Sequence, residues 1–296
     1  MKSIYYILLS SFIVSVCSNW IDAPPDMNCT SALGRCTDIT HKTWESPISY
    51  TSDTACDVLK KLGVQQMLFY GDSYMRHIFA AMTASFSGDE TLYVKYMHKK
   101  WFEDAYKCSF CSGVVGSLHN TPSADKSSRI FRKPSLFTSG GIKTGSAVVF
   151  LSYGNHGLGK DEIYKPPRTC RNPSVCRYGV NNASVYMEYI RPICKVLTKR
   201  KVRVYWVSTH YRLKYYYLDE VPEQVEQFNI DMRRYIESGK CTPTTGYIDV
   251  YNMTKSLALS YPGDALQLTP DKVHWGYKVN LIKLQILLNT IANSSV

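Results

Sequence analysis

The run from Ile4 to Cys17 is short for a bilayer span, which takes about 20 apolar residues, and no other stretch is apolar enough to cross one. The chain also has no internal repeat and no long low-complexity segment, leaving one non-repetitive globular chain to explain. Acidic residues are few. Against 35 Lys and Arg stand 24 Asp and Glu, a net charge of +11 and a pI near 9.1. Such a surplus favours acidic partners, or serves only to keep a basic surface soluble. Cysteine pairs with metal-binding spacing are scarce as well. Only Cys108-Ser109-Phe110-Cys111 has it, flanked by His98 and His119, whereas a structural zinc site usually needs two pairs or a matched Cys/His pair. No metal and no organic cofactor is expected.

What is present begins with a secretory pattern. Met1-Lys2 and the apolar run after it resemble the n- and h-regions of a signal peptide, with small residues Val16 and Ser18 before Asn19. Residues 1–18 are read as that signal; an uncleaved anchor is the alternative, since Trp20 and Ile21 prolong the apolar character. Of ten cysteines, Cys17 falls in the signal. The other nine are expected to pair in an oxidising compartment, leaving one over. Four sequons, at Asn28, Asn182, Asn252 and Asn293, fit the same secreted or ER/Golgi-lumenal route. Nucleic acid is then an unsuitable partner, and acidic glycans suit the charge better.

After signal removal about 275 residues remain, enough for one sizeable α/β core. Residues 19–53, with Cys29, Cys36 and Pro24-Pro25, read as an irregular extension. Residues 54–296 read as the main domain, with long insertions near 99–145 and 157–181. The expected strands are Val64 to Tyr70, Thr91 to His98, Ala147 to Tyr153, Val202 to Ser208 and Tyr247 to Tyr251. Helices are expected over Cys56 to Leu62, Tyr74 to Phe86, Ala183 to Lys199, Val221 to Glu237 and Tyr277 to Ile291. Alternation of this kind predicts a mostly parallel sheet with helices on both faces. Ligands of such sheets bind at the carboxyl ends of the strands.

Two short blocks carry chemistry. Gly71-Asp72-Ser73 joins a buried strand to an amphipathic helix, where backbone N–H groups of a helix start surround the serine. Alone it is also an ordinary turn and cap sequence. Asp271-Lys272-Val273-His274-Trp275 lies some two hundred residues downstream. A serine hydroxyl needs a base to take its proton, and a histidine base needs a carboxylate to fix its tautomer. Asp271 and His274 can supply both from one loop. Together the blocks resemble the SGNH (GDSL-type) hydrolase superfamily, most closely its branch of trichome-birefringence-like proteins and related glycan O-acetyltransferases.

That resemblance implies a three-layer α/β/α sandwich with a mostly parallel five-stranded sheet in flavodoxin-like order. It implies Ser73 as nucleophile, His274 as base and Asp271 as its orienting acid. The oxyanion donors would be the Ser73 amide, Asn155 and a glycine, for which Gly116 and Gly113 are both candidates. Arg76, His156 and His210 are candidate substrate contacts, His210 by analogy with a Ser-x-His segment in plant members. The implied activity is hydrolysis or transfer of an acyl group, acetyl foremost, on a glycan, with an acyl donor as a further partner if it is transfer. A non-catalytic glycan-binding module on the same fold is the competing reading. Tyr215-Tyr216-Tyr217 could stack on sugar rings or be buried.

Overall fold

The computed structural model describes residues 20–22, 42–44, 48–97, 106–120, 142–152, 183–213, 222–241, 246–260, 262–269 and 274–294. Six strands form the main sheet: β3 (Gln66–Gly71), β4 (Tyr106–Cys111), β5 (Val114–Asn120), β6 (Ala147–Ser152), β7 (Arg203–Val207) and β8 (Gly246–Ile248). A separate antiparallel pair, β1 (Trp20–Asp22) with β2 (Lys42–Trp44), lies in the N-terminal segment. The extension is therefore not irregular throughout.

The sheet order is β4-β5-β3-β6-β7-β8, with β4 antiparallel to β5 and the remaining neighbours parallel. Numbered by themselves, the five parallel strands run 2-1-3-4-5, the flavodoxin-like order. The chain reverses direction across the sheet between β3 and β6. In such sheets the crevice at the carboxyl ends of that pair is where ligands bind.

Strand alternation divides the core into two layers. Met67, Phe69, Val148, Phe150, Tyr205, Val207 and Ile248 face one side. There they meet α1 (Ser52–Lys61), α2 (Ser73–Ser87) and the last helix, α8 (Tyr277–Asn293), through Leu59, Ile78, Phe79, Leu284 and Leu287. Leu68, Tyr70, Val149, Leu151, Val204 and Trp206 face the other side. They pack on α4 (Ala183–Lys199) and α5 (Pro222–Glu237) through Ile193, Leu197, Phe228 and Met232. The architecture is the expected three-layer α/β/α sandwich, with one strand more than the five foreseen.

That extra strand comes from a correction. Thr91 to His98, expected as a strand, contains helix α3 (Thr91–Met97). The Leu92, Val94 and Tyr96 alternation is incidental, for the fully buried residue is Tyr93 between them. Gly88, in the left-handed region at φ 65°, ends α2, and the Asp89 carboxylate accepts from the Thr91 backbone N–H to start α3. The second parallel strand is instead β5, inside the segment read as an insertion. Its hairpin partner β4 is tied to α1 by the Cys56–Cys111 disulfide, so Cys111 is no zinc ligand. A second disulfide, Cys194–Cys241, joins α4 to the end of α5. The last strand is shorter than expected, because Tyr251 opens α6 (Tyr251–Ser260), followed by α7 (Pro262–Gln267). No described helix is long and apolar enough to cross a membrane.

Candidate active site

Each residue of Gly71-Asp72-Ser73 has its own physical reason. Gly71 closes β3 level with Ser152 of β6 and Asn120 of β5. A Cβ there would collide with the Ser152 carbonyl oxygen, so only glycine lets the two backbones lie this close. Asp72 is the N-cap of α2: it is extended, and its carboxylate accepts from the Tyr74 N–H at 3.0 Å. Ser73 is then the first helical residue, at the positive end of a 15-residue helix. It sits at the carboxyl edge of the sheet where the order reverses.

The structure brings His274 to it. Ser73 Oγ and His274 Nε2 are 2.7 Å apart, across 201 residues of chain. That is the distance of a hydroxyl–imidazole hydrogen bond. The His274 ring is clasped by α2, with His77 stacked on it at 4.7 Å between centroids and Tyr74 meeting it edge-on at 5.5 Å. His77 is one helical turn beyond Ser73, so both project from the same face of α2.

The segment carrying His274 is anchored from three sides. The buried Trp275 indole donates to the Tyr211 carbonyl at 2.8 Å. The Gly276 N–H donates to the Leu268 carbonyl at 2.7 Å. The Asn280 side-chain N–H group reaches the Trp275 and Gly276 carbonyls, at 2.6 and 2.9 Å. Trp275 thus joins the His274 loop to the segment after β7. That segment is itself held, because Asn229 of α5 exchanges two hydrogen bonds with the Thr209 backbone. Ser208 Oγ accepts from the Val250 and Tyr251 N–H groups and so starts α6.

The other candidate residues distribute unevenly. Arg76 lies in the first turn of α2, half-buried, three residues after Ser73. His210, three residues past the end of β7, is only 3% exposed. Its ring stacks on Tyr74 at 3.4 Å and its Nδ1 is 3.0 Å from Lys283 Nζ. It forms part of the wall behind Tyr74, not an open contact surface. Gly116 is not brought to the site. It pairs with Met67, four residues before the end of β3, about 13 Å back along the strand. Its lack of a side chain serves the Phe110 ring, which occupies the place a Cβ would take. Gly113 is farther still, in the β4–β5 turn at the opposite edge. Asn252 and Asn293 are exposed, as acceptor asparagines need to be. Asp271, Asn155, His156, Asn28, Asn182, the signal segment and Tyr215-Tyr216-Tyr217 lie outside the described residues.

Sequence reasoning did not find Tyr74, Arg212, Asn280 or Lys283 as parts of this site. Arg212 is buried with its guanidinium 5.7 Å from the Tyr74 ring centroid. The available signal was polar residues at apolar-spaced positions of α8. Lys278, Asn280, Lys283 and Asn289 are all buried in a helix whose other buried residues are Tyr277, Val279 and a run of Leu and Ile. Among the described residues no group of three His, Cys, Asp or Glu side chains is placed to hold a metal ion.

Fold and site together define an α/β/α sandwich with a histidine-paired serine on its first parallel strand's exit. No protein-family model and no curated protein matches the chain. Among solved structures it is similar to a GDSL-like lipase from Bacteroides thetaiotaomicron, with 14% identity, a TM-score of 0.46 and 80% of this chain and 91% of that one covered. It is similar too to an acetylxylan esterase from Geobacillus stearothermophilus, at 12% identity, TM-score 0.47, and 78% and 96% coverage. The narrower likeness to trichome-birefringence-like proteins rests on the sequence alone, on the two blocks and the Ser208-Thr209-His210 segment.

Proposed function

We propose that this chain is a serine-dependent esterase that removes acyl groups, acetyl foremost, from a carbohydrate. The observation that carries the reading is the 2.7 Å approach of Ser73 Oγ to His274 Nε2 at the carboxyl edge of the sheet. In this reading Ser73 Oγ attacks the ester carbonyl while His274 Nε2 takes its proton. The tetrahedral intermediate collapses to an acyl-Ser73 ester, and the sugar hydroxyl leaves with the proton from His274. Water then repeats the sequence, with His274 as base, and releases the carboxylic acid. Asp271, three residues before His274, orients the imidazole and stabilises its charged form.

The developing oxyanion lies against the first turn of α2, where the Ser73 amide and the helix dipole favour negative charge. Asn155, following β6, is the second donor. A donor of this kind is worth about 3 kcal/mol of barrier. In this reading Arg76 and His156 are contacts for the substrate. The sequence blocks support a glycan as the acyl carrier, and the signal pattern, sequons and disulfides support a secreted or lumenal setting.

The test is labelling by a fluorophosphonate together with acetate release from acetylated xylan. Wild type should label and release acetate without any added acceptor, and Ser73→Ala should do neither. Labelling that persists in Ser73→Ala would falsify the assignment of the nucleophile. Labelling without acetate release, with acetyl instead passing from the xylan to an added acceptor hydroxyl, would make the chain a transferase. Glycan binding with no labelling in any form would leave a binding module.

A further inference from the structure

Lys283 of α8 is 1% exposed, and its amine meets His210 Nδ1 at 3.0 Å and the Asn280 side-chain oxygen at 3.1 Å. No carboxylate accompanies it among the described residues. A lysine in such a place costs stability, because burial opposes its charge. Desolvation drives its amine well below the usual lysine range. An apolar side chain of the same length would fill the space without that cost, so the amine is there for its hydrogen bonds.

The neighbours of the amine fix the direction of one of these bonds. The Asn280 N–H group is engaged by three acceptors: the Tyr93 hydroxyl at 3.2 Å and the Trp275 and Gly276 carbonyls. Its oxygen is therefore the end turned to Lys283, and there the amine must donate. His210 Nδ1 lies 3.0 Å from the same amine, and a further amine N–H donated to it would leave the His210 proton on Nε2. The His210 ring lies face to face on Tyr74, whose edge meets His274. A continuous path of contacts thus runs from the buried amine to the ring that faces Ser73.

We propose that Lys283 is a positioning residue for the Ser73–His274 pair: its hydrogen bond to His210 Nδ1 sets the His210 ring, against which Tyr74 packs to hold the His274 imidazole in line with Ser73 Oγ. The inference rests on the esterase reading for its effect on reactivity, but the hydrogen bond itself does not. Asn280 links the same amine to the backbone on both sides of the Trp275–Gly276 bond. One lysine therefore ties together the two segments that the reaction must keep in register.

Two variants separate donation from mere filling of space. Lys283→Met keeps the length and loses the donor; Lys283→Gln keeps an uncharged donor. Ser73 labelling by a fluorophosphonate should slow on the order of 10-fold in Lys283→Met, the scale of a small misplacement of reacting groups. Lys283→Gln should recover most of that rate, even though its Tm is no higher than that of Lys283→Met. Imidazole 15N shifts of wild type should show His210 with an unprotonated Nδ1, and Lys283→Met should lose that preference. Equal labelling rates in wild type and Lys283→Met, or in Lys283→Met and Lys283→Gln, would overturn the proposal. So would a protonated His210 Nδ1 in wild type. If wild type itself does not label, the esterase reading fails, and the nitrogen shifts alone decide whether the amine holds His210.

Discussion

A serine beside an imidazole is common in proteins; what distinguishes Ser73 is that its partner ring is immobilised on every side described. His77 covers one face of His274, Tyr74 meets it edge-on, and Trp275 pins the next residue to the Tyr211 carbonyl. In the proposed reaction a ring so confined passes a proton between Ser73 and the leaving group without losing its orientation, an effect on the order of several kcal/mol of barrier. His274→Gln keeps a similar bulk and a hydrogen-bonding end but cannot accept and return the proton. Fluorophosphonate labelling should fall by about three orders of magnitude or more, with Tm nearly unchanged. Labelling at the wild-type rate would show that another group serves as base. At this scale much was legible. Serine, histidine and tryptophan stand in two short blocks whose residue types already demanded one another. The residues that clasp the ring were not legible, because a tyrosine and a histidine after Ser73 look like ordinary members of an amphipathic helix. Lys283 was hidden for a further reason: it lies at an apolar-spaced position of α8, where a charged residue ordinarily turns to solvent.

The element that matters most is the β3–α2 junction, where the strand end, the N-cap and the proposed nucleophile are consecutive residues. Asp72→Ala removes the carboxylate that accepts from the Tyr74 N–H and should cost about 1 kcal/mol, against a few tenths for Asp72→Asn. In a chain of this size that is a Tm lower by about 2–4 °C. Gly71→Ala should do more, about 1–3 kcal/mol, since its methyl group must push back the Ser152 carbonyl and with it the edge of β6. Both are read by thermal unfolding followed by circular dichroism. A Gly71→Ala protein as stable as wild type would mean that the two strands separate easily at this edge. Elements with strong period signals, β3, β6, α2 and α8, were legible in the sequence because burial on both faces or one face leaves an unambiguous pattern. β5 was not, since Gly116 and Ser117 dilute its apolar character while the Phe110 ring fills the space of the missing side chain. α3 was misread because its three alternating apolar residues mimic a strand, whereas the start signal at Asp89 points the other way. Local pattern and capping disagreed there, and capping decided.

For the molecule as a whole, the buried ionisable groups pull stability in opposite directions along the pH scale. Burial raises the hydroxyl of Tyr277 to about 12, with the nearby charge of Glu90 adding to it. Burial raises the hydroxyls of Tyr70 and Tyr247 further, the latter with help from the Asp249 charge. Below pH 10.0, the ordinary tyrosine value, folded and unfolded chains both keep these protons and the contribution is constant. Above it the unfolded chain ionises first, so stability is lost as pH climbs toward the folded values. Lys283 acts with the reverse sign. Its folded value lies well below 10.5, so under that pH the unfolded chain binds a proton that the folded one resists. Its penalty therefore shrinks as pH rises from the folded value toward 10.5. Urea midpoints should accordingly climb on the alkaline side of neutrality and then drop between about pH 10 and 12. Tyr277→Phe should make that drop shallower, and Lys283→Met should flatten the climb while leaving the drop in place. A midpoint that stays level from pH 10 to 12 would show that these hydroxyls are hydrated in the folded chain. A climb unchanged in Lys283→Met would show that its amine keeps its charge in place, and the stability of this core would then owe nothing to an uncharged lysine.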